Sequence, residues 1–177
     1  GAFIYDDVTK AKLLNEFYSS VFINDNNEFP SFDRRVDDDC SLSHVTFSPD
    51  VVFRHLTKLK PKSSGGPDGL TSLFLKNVAG SLAFPLSRLF SKSFELSELP
   101  CIWKSAVVTP VFKKGSSSAV CNYRPISLTC VICKIMETII KDSLIAYLLA
   151  NNLITKQQHG FLAKHSTCSQ LLECAND

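Results

Sequence analysis

Two short β-forming runs, set among helical patterns, constrain the fold more than any other feature. Residues 105–112 (SAVVTPVF) and 123–129 (YRPISLT) are rich in β-branched and aromatic residues, and a basic Gly/Ser turn separates them. This arrangement predicts a β-hairpin. Because Pro110 and Pro125 lack a backbone N–H, both strands are expected at a sheet edge or in an irregular ladder. The predicted fold class is therefore α+β, mostly helical, with one basic β-hairpin.

The rest of the chain has helical periodicity interrupted by turn-forming residues. Ser48 is a good N-cap, Pro49 suits the first helical position and Asp50 favours the positive end of a helix. Residues 24–47 and 61–69 have loop composition. The predicted helices cover residues 9–23, 49–60, 70–79, 82–97, 131–150 and, after a turn, part of 155–174.

The near-neutral charge of this 177-residue chain hides two opposed segments. Residues 1–50 carry four basic and ten acidic residues, a net charge of −6, whereas residues 51–177 carry fifteen basic and seven acidic residues, a net charge of +8. A basic body often binds phosphate-rich partners, although charge alone favours a merely solvated basic face. Because the chain begins at Gly1 and Met136 is its only methionine, we expect a piece of a longer protein.

The seven cysteines indicate a reducing compartment rather than a disulfide scaffold, because their number is odd and no signal segment opens the sequence. Cys130 and Cys133 form one C-x-x-C, but a tetrahedral zinc site needs four ligands and no second pair follows. We therefore expect buried structural cysteines and no bound metal. No apolar run reaches the length of a membrane helix, so an intracellular protein, nuclear or cytoplasmic and without a membrane partner, is expected.

The basic turn of the hairpin is the clearest candidate binding site. Lys113 and Lys114 precede a Gly/Ser turn whose backbone N–H groups can bind a phosphate. Arg124 on the returning strand can bind phosphate oxygens in bidentate fashion. A hairpin brings these three cations to one end of the ribbon. On spacing alone an alternative stays open, in which the lysines only keep an edge hairpin from aggregating.

The carboxylates after residue 100 show no pattern for metal-dependent catalysis. Nucleotidyl transfer needs carboxylates that bind two cations about 3.5–4 Å apart. Glu137 and Asp142 are five residues apart on one predicted helix, and no predicted strand carries a carboxylate pair. The sequence also lacks the short motifs of hydrolases and of phosphate-binding P-loops. We therefore predict no catalytic residue and no metal ligand in this chain.

Four segments occur together in an order that is specific to one protein family. They are residues 60–70 (KPKSSGGPDGL), 100–115 (PCIWKSAVVTPVFKKG), 122–129 (NYRPISLT) and 157–172 (QQHGFLAKHSTCSQLL). Together they resemble the reverse transcriptase of non-LTR (LINE-type) retrotransposons. The resemblance covers residues 58–177, which would be a partial reverse transcriptase domain. Residues 1–57 would then be a helical, acidic linker that precedes the polymerase.

This resemblance implies the fingers and the palm entry of a right-hand polymerase, within an RNA-directed DNA polymerase. The implied partners are an RNA template, a DNA primer, a deoxynucleotide triphosphate, and the rest of the palm and the thumb. Mg²⁺ is implied as the cofactor of the longer enzyme, with none bound by this chain alone. Arg124 would contact the incoming triphosphate, assisted by Lys113 or Lys114. The residues implied to line or support the template–primer groove are Gln158, Gly160, Phe161, Lys164, Ser166 and Thr167.

Other positions of the resemblance have structural roles or depart from the family. Residues 66–69 match its G-P-D-G loop, for which loop geometry is the first expectation and template contact the second. Trp103 is expected in the core. Leu162 stands where many members have a basic residue, and the catalytic aspartates of the family have no counterpart in this sequence. Two alternatives remain, a non-catalytic nucleic-acid-binding remnant of such an element and a degenerate product that does not fold stably.

Overall fold

The computed structural model describes residues 4–23, 25, 28, 31, 41–42, 44–62, 65–155 and 157–176. The helices in this part of the chain are α1 (Asp7–Ser20), α2 (Pro49–Thr57), α3 (Ser72–Asn77), α4 (Ala79–Leu96), α5 (Val131–Ala150) and α6 (Thr167–Asn176). The strands are β1 (Val107–Phe112) and β2 (Tyr123–Leu128), and short 3-10 turns cover Cys101–Lys104 and Val120–Asn122. The predicted α+β class with one hairpin is confirmed at this level.

Two compact units divide the chain. One consists of Gly1–Ser31 and Thr46–Glu137, and the other of Phe32–Val45 and Thr138–Asp177. The hairpin lies in the first unit and α6 in the second. The predicted boundary between residues 57 and 58, which was drawn from family similarity, stays a prediction. None of the described helices is long and apolar enough to cross a membrane.

The core of the first unit forms where α2 packs on α4. The Ser48 hydroxyl accepts a hydrogen bond from the Val51 backbone N–H at 3.3 Å and so caps α2, as predicted. Leu56 of α2 and Phe90 of α4 are completely buried. Trp103 is also buried and packs edge-on against Phe90, with ring centroids 6.0 Å apart. The prediction that Trp103 is a core residue is therefore confirmed.

Helix α4 begins three residues earlier than its apolar pattern indicates. The backbone N–H groups of Ser81 and Leu82 both donate to the Val78 carbonyl, so the helix starts at Ala79 directly after α3. The first turn, Ala79-Gly80-Ser81, contains no large apolar residue and therefore gave no periodic signal. The helix ends at Leu96, and its C-cap residue Ser97 has a left-handed φ of 54°.

The G-P-D-G loop is shaped by close backbone packing. The Gly69 N–H donates to the Gly66 carbonyl at 3.0 Å, and Gly69 itself has a φ of +69°. A Cβ at Gly66 would lie 2.7 Å from the Cα and N of Cys130 and from the Thr129 carbonyl oxygen. Only glycine allows this approach, so loop geometry, the first role predicted for this segment, is confirmed.

The cysteines are less buried than predicted. Cys130 and Cys133 are buried, and burial raises the pKa of the Cys133 thiol to about 11. The prediction is wrong for Cys101, Cys121, Cys168 and Cys174, which are exposed because they lie on turns and on the outer surface of α6. Cys40 lies outside the described residues.

Candidate nucleic-acid interface

The backbone ladder of the hairpin fixes where its cations lie. Strands β1 and β2 are antiparallel, and Val111 pairs with Arg124 while Phe112 pairs with Tyr123. The Lys113 N–H donates to the Asn122 carbonyl at 2.8 Å, which continues the ladder by one residue beyond the strands. Paired residues share one face of a ribbon and successive residues alternate between faces. Lys113, Val111 and Arg124 therefore belong to the same face.

The opposite face of the hairpin lies along α1. Pro110, Tyr123 and Pro125 line a groove of about 1340 Å³ together with Leu14 and Tyr18 of α1. Helix α1 also contacts the Val120–Asn122 turn. The face that carries Arg124 is thus the one turned away from α1. Every residue of β1 is exposed, including Val107 and Val111 on that outer face.

Internal hydrogen bonds order the tip of the hairpin. The Asn122 side-chain amide donates to the Ser116 carbonyl at 2.9 Å, and the Tyr123 hydroxyl donates to the Ser117 carbonyl at 2.8 Å. Gly115 has a φ of +89°, and a Cβ there would lie 2.7 Å from the Asn122 amide nitrogen. The turn therefore positions Lys114 and the backbone N–H groups next to it, which suits binding of an anion.

The hairpin and the residues that flank it in the chain carry only positive charges. Residues 99–136 contain five basic residues and no Asp or Glu. Lys113, Lys114 and Arg124 are exposed, and no described carboxylate pairs with any of them. Their charges are not neutralised by the part of the chain that the structure describes. The three residues predicted to bind a nucleotide are consequently available to a phosphate.

The second group of candidate residues lies in a loop of the other unit, residues 157–166, which we name the 157–166 loop. The Gln158 side-chain amide donates to the Gly160 carbonyl at 2.8 Å, so it shapes the loop itself. Phe161 and Lys164 both have left-handed backbones, with φ of 65° and 67°. The Phe161 side chain is fully exposed, and Lys164 is exposed as well. An aromatic ring and a cation are therefore presented to solvent within four residues.

Ser166 and Thr167 lie at the start of α6. The Ser166 hydroxyl accepts from the Ser169 N–H at 3.1 Å, and the Ser169 hydroxyl oxygen accepts from the Ser166 N–H at 2.9 Å. This reciprocal capping box engages the Ser166 side chain in the helix N-terminus. Thr167 is the first helical residue and is exposed. Of this pair, only Thr167 has a side chain that the cap does not use.

Four residues that the sequence pattern did not indicate form a cluster between the 157–166 loop and α6. His159 is 8% exposed, and its Nδ1 lies 2.8 Å from the Ser169 hydroxyl oxygen. Its Nε2 bonds to the Glu173 carboxylate. The His165 ring packs edge-on against His159, with centroids 4.9 Å apart. The i, i+4 spacing of Ser169 and Glu173 on one helix face was the only sequence signal for this cluster.

The carboxylates after residue 100 already have partners where the structure describes them. Glu137 accepts from the Cys133 thiol at 3.4 Å, Asp142 pairs with Lys141 at 3.0 Å, and Glu173 bonds to His159. Among the described residues, no three His, Cys, Asp or Glu side chains are placed to share a metal ion. These residues do not fit a two-Mg²⁺ centre, and no metal-dependent step is assigned to them.

Comparisons with known proteins agree on one group of relatives. No protein-family model matches the chain. The RNA-directed DNA polymerase from mobile element jockey of Drosophila melanogaster is 31% identical over 136 residues, which is 76% of this chain and 15% of the jockey protein. The protein named "Probable RNA-directed DNA polymerase from transposon X-element", also of Drosophila melanogaster, is 26% identical over 126 residues, 71% of this chain and 14% of that protein.

These matches cover most of this chain but only a small part of each relative. The chain spans about 15% of the length of the jockey polymerase and 14% of the X-element protein. The matched proteins are polymerases of non-LTR retrotransposons, the group indicated by the G-P-D-G, F-K-K-G, Y-R-P-I-S-L and Q-x-G-F segments. The predicted family is therefore confirmed: this chain is related to a segment of the reverse transcriptases of non-LTR retrotransposons.

Proposed function

We propose that this chain forms the fingers and palm entry of a right-hand RNA-directed DNA polymerase within a longer protein. In that protein the basic hairpin binds the triphosphate of the incoming deoxynucleotide, and the 157–166 loop contacts the RNA template paired with its DNA primer. Mg²⁺ and the carboxylates that bind it belong to the remaining palm, because the described carboxylates of this chain are engaged elsewhere.

The observation that carries this proposal is the free cationic face of the hairpin. Lys113 and Arg124 share the face turned away from α1, Lys114 begins the ordered turn, and no carboxylate occurs between residues 99 and 136. A guanidinium and two ammonium groups with exposed backbone N–H groups suit a chain of phosphates. Lysines that only protect a sheet edge would need no common face with Arg124.

A salt series with single-stranded RNA tests the hairpin, because cations that bind the phosphates of a triphosphate also bind those of an RNA strand. Each phosphate neutralised on a single strand contributes about −0.7 to the slope of log K against log salt concentration. Changing Lys113, Lys114 and Arg124 together to Ala should make the slope for a single-stranded RNA shallower by about 2. The matched control changes Lys58, Arg88 and Lys92 to Ala, which removes the same charge from exposed positions outside the hairpin.

Comparing the two triple variants shows whether RNA binds a defined site on the hairpin or responds only to the overall positive charge of the protein. We expect the control variant to keep the wild-type slope within about 0.5. An equal change in both variants would mean that RNA responds only to the overall charge, and the proposed role of the hairpin would be wrong. Primer extension with Mg²⁺ by this chain alone would overturn the proposed division of labour, in which the carboxylates that bind the metal belong to the remaining palm.

A further inference from the structure

The 157–166 loop holds two residues in a conformation that side chains disfavour. Phe161 and Lys164 both have positive φ, which L-residues other than Gly, Asn and Asp adopt rarely. Such strain persists only where the surroundings fix the backbone, and it is concentrated at functional sites. Among the residues that the structure describes, few backbone bonds do this; two of them run from the Gln158 N–H to the Thr155 carbonyl at 3.1 Å and from the His165 N–H to the Leu162 carbonyl at 3.4 Å. Side-chain contacts must therefore fix the loop.

His159 makes the contacts that join the loop to α6, while the Gln158 amide bonds within the loop. His159 is the buried residue among those of the 157–166 loop that the structure describes. Its two ring nitrogens meet Ser169 and Glu173, which lie one turn apart on α6. A carboxylate only accepts hydrogen bonds, so Nε2 carries a proton toward Glu173. The Ser169 hydroxyl oxygen lies 2.8 Å from Nδ1 and donates to the Ser166 carbonyl, and the perpendicular His165 ring covers one side of His159.

We propose that His159 is a positioning residue that fixes Phe161 and Lys164 for contact with single-stranded RNA. The inference rests on the proposed function, because it assigns a cause to the geometry of the template-contacting loop. His159 sits between Gln158 and Gly160, so a rigid anchor at its side chain determines where the next residues point. Phe161 then offers its ring for stacking on a base, and Lys164 offers its ammonium to a phosphate.

A hydrolytic role for the same three residues does not follow from the geometry. Ser, His and Glu in hydrogen-bonded sequence have the composition of a catalytic triad. However, the Ser169 hydroxyl oxygen accepts from the Ser166 N–H at 2.9 Å and lies 2.8 Å from the Ser166 carbonyl oxygen. The cap of α6 therefore engages the atom that would have to act as nucleophile.

The test measures the effect of His159→Ala in the wild-type chain and in a chain that lacks the Phe161 and Lys164 side chains. Affinity for a 20-nucleotide uridine oligomer is measured by fluorescence anisotropy for the full chain carrying His159→Ala, Phe161→Ala with Lys164→Ala, or all three changes. We expect His159→Ala to weaken binding about tenfold, as loss of one stacked base does. In the background that lacks Phe161 and Lys164, His159→Ala should change the affinity less than twofold. His44→Ala, at an exposed histidine of the same unit, is the matched control and should bind as wild type.

Two further measurements distinguish positioning from a general effect on folding. Hydrogen exchange of residues 158–166 should accelerate in His159→Ala, whereas exchange in α2 and α4 should not change. His159→Gln should recover part of the lost affinity, because its amide can still donate to Glu173. An equal loss of affinity from His159→Ala in both backgrounds would overturn the inference, as would wild-type binding by His159→Ala.

The outcomes also separate this inference from the proposed function. If Phe161→Ala with Lys164→Ala weakens binding while His159→Ala does not, the positioning role is wrong and the template-contacting loop stands. If neither these variants nor the hairpin triple variant alters RNA binding, the proposed function itself is wrong, and the inference that rests on it falls too.

Discussion

The basic hairpin and the 157–166 loop present cations in two physically different ways. In the hairpin, six residue pairs and one further backbone bond determine which face carries Lys113 and Arg124. In the loop, the buried imidazole of His159, the Gln158 amide and two strained backbones determine where Phe161 and Lys164 lie. The hairpin site therefore depends on backbone pairing, which many substitutions leave intact, whereas the loop site depends on two side chains. Breaking the backbone support of one site should leave the other unchanged.

The largest expected effect comes from the backbone support of the hairpin. In Gly66→Ala the new methyl group would meet the backbone of Thr129 and Cys130 at 2.7 Å, directly after β2. Backbone atoms cannot rotate away, so we expect the free energy of unfolding of the first unit to fall by about 3 kcal/mol. Denaturant unfolding followed by the fluorescence of Trp103, which is buried in that unit, measures the change.

Gly80→Ala is the matched control for this substitution. Nothing lies within 4 Å of a Cβ at Gly80, and the residue is in the first turn of α4. Alanine there should raise the free energy of unfolding by about 0.5–1 kcal/mol. Hydrogen exchange of the 157–166 loop should be unaltered in both variants. Accelerated exchange of that loop in Gly66→Ala would contradict the independence of the two sites.

The next largest effect should come from relieving the backbone strain at Phe161, which should stabilise the protein and weaken its binding to RNA. A left-handed backbone costs a non-glycine residue about 1–2 kcal/mol, and glycine avoids this cost. The extra freedom of glycine in the unfolded chain costs about 0.4–1 kcal/mol. Because the Phe161 side chain is fully exposed and loses no packing, Phe161→Gly should stabilise the second unit by about 0.5–1 kcal/mol. The same variant should bind RNA about tenfold more weakly.

Phe74→Gly is the control for the backbone argument. Phe74 is also an exposed aromatic residue, but it lies in α3, where glycine should cost about 1 kcal/mol. Unfolding in urea should therefore move in opposite directions for the two variants. If Phe161→Gly destabilises the protein as Phe74→Gly does, the left-handed backbone of the loop stores no strain.

Burial of the Cys133 thiol in the first turn of α5 predicts a pH dependence confined to the first unit. Burial raises the pKa of Cys133 from 9.0 to about 11, so the unfolded chain loses this proton at lower pH than the folded chain. The stability contributed by the buried neutral thiol is complete below pH 9 and declines as the pH rises toward about 11. The stability of Cys133→Ser should decline less over this pH interval than that of the wild type. Equal declines in the two proteins would argue against a buried neutral thiol.

The sequence predicted the hairpin well because its information is local. Pro110, Pro125 and the β-branched runs define the strands, and Lys113, Lys114 and Arg124 can be assigned to one end from chain order alone. Their common face follows from the observed register, which the sequence did not determine. The start of α4 was missed because its first turn lacks apolar residues, and the exposed cysteines were missed because residue type does not define burial.

The sequence pattern could not predict the contacts of His159 that fix the 157–166 loop. His159 occupies the variable position of Q-x-G-F, and its partners follow ten and fourteen residues later. Helical and strand periodicities relate residues within one element, so they do not relate His159 in the loop to its partners on α6. Family resemblance indicated Ser166 as a contact residue, whereas its hydroxyl is engaged in the cap of α6. The roles of these residues in nucleic-acid binding stay predictions.

The smallest expected effect concerns α1, which forms one wall of the groove behind the hairpin. The Asp6 carboxylate accepts from the Thr9 hydroxyl at 2.6 Å and from the Thr9 N–H at 2.7 Å, and these bonds lower its pKa below 3.8. The cap is therefore intact above the ordinary pKa and is lost as the pH falls through the lower, folded value. Amide exchange in the first turn of α1, corrected for intrinsic rates, should accelerate as the pH falls through this lowered pKa. Asp6→Asn caps without titrating, so its first turn should show no such acceleration. A first turn that responds to acid equally in both proteins would show that Asp6 does not stabilise the wall of the groove.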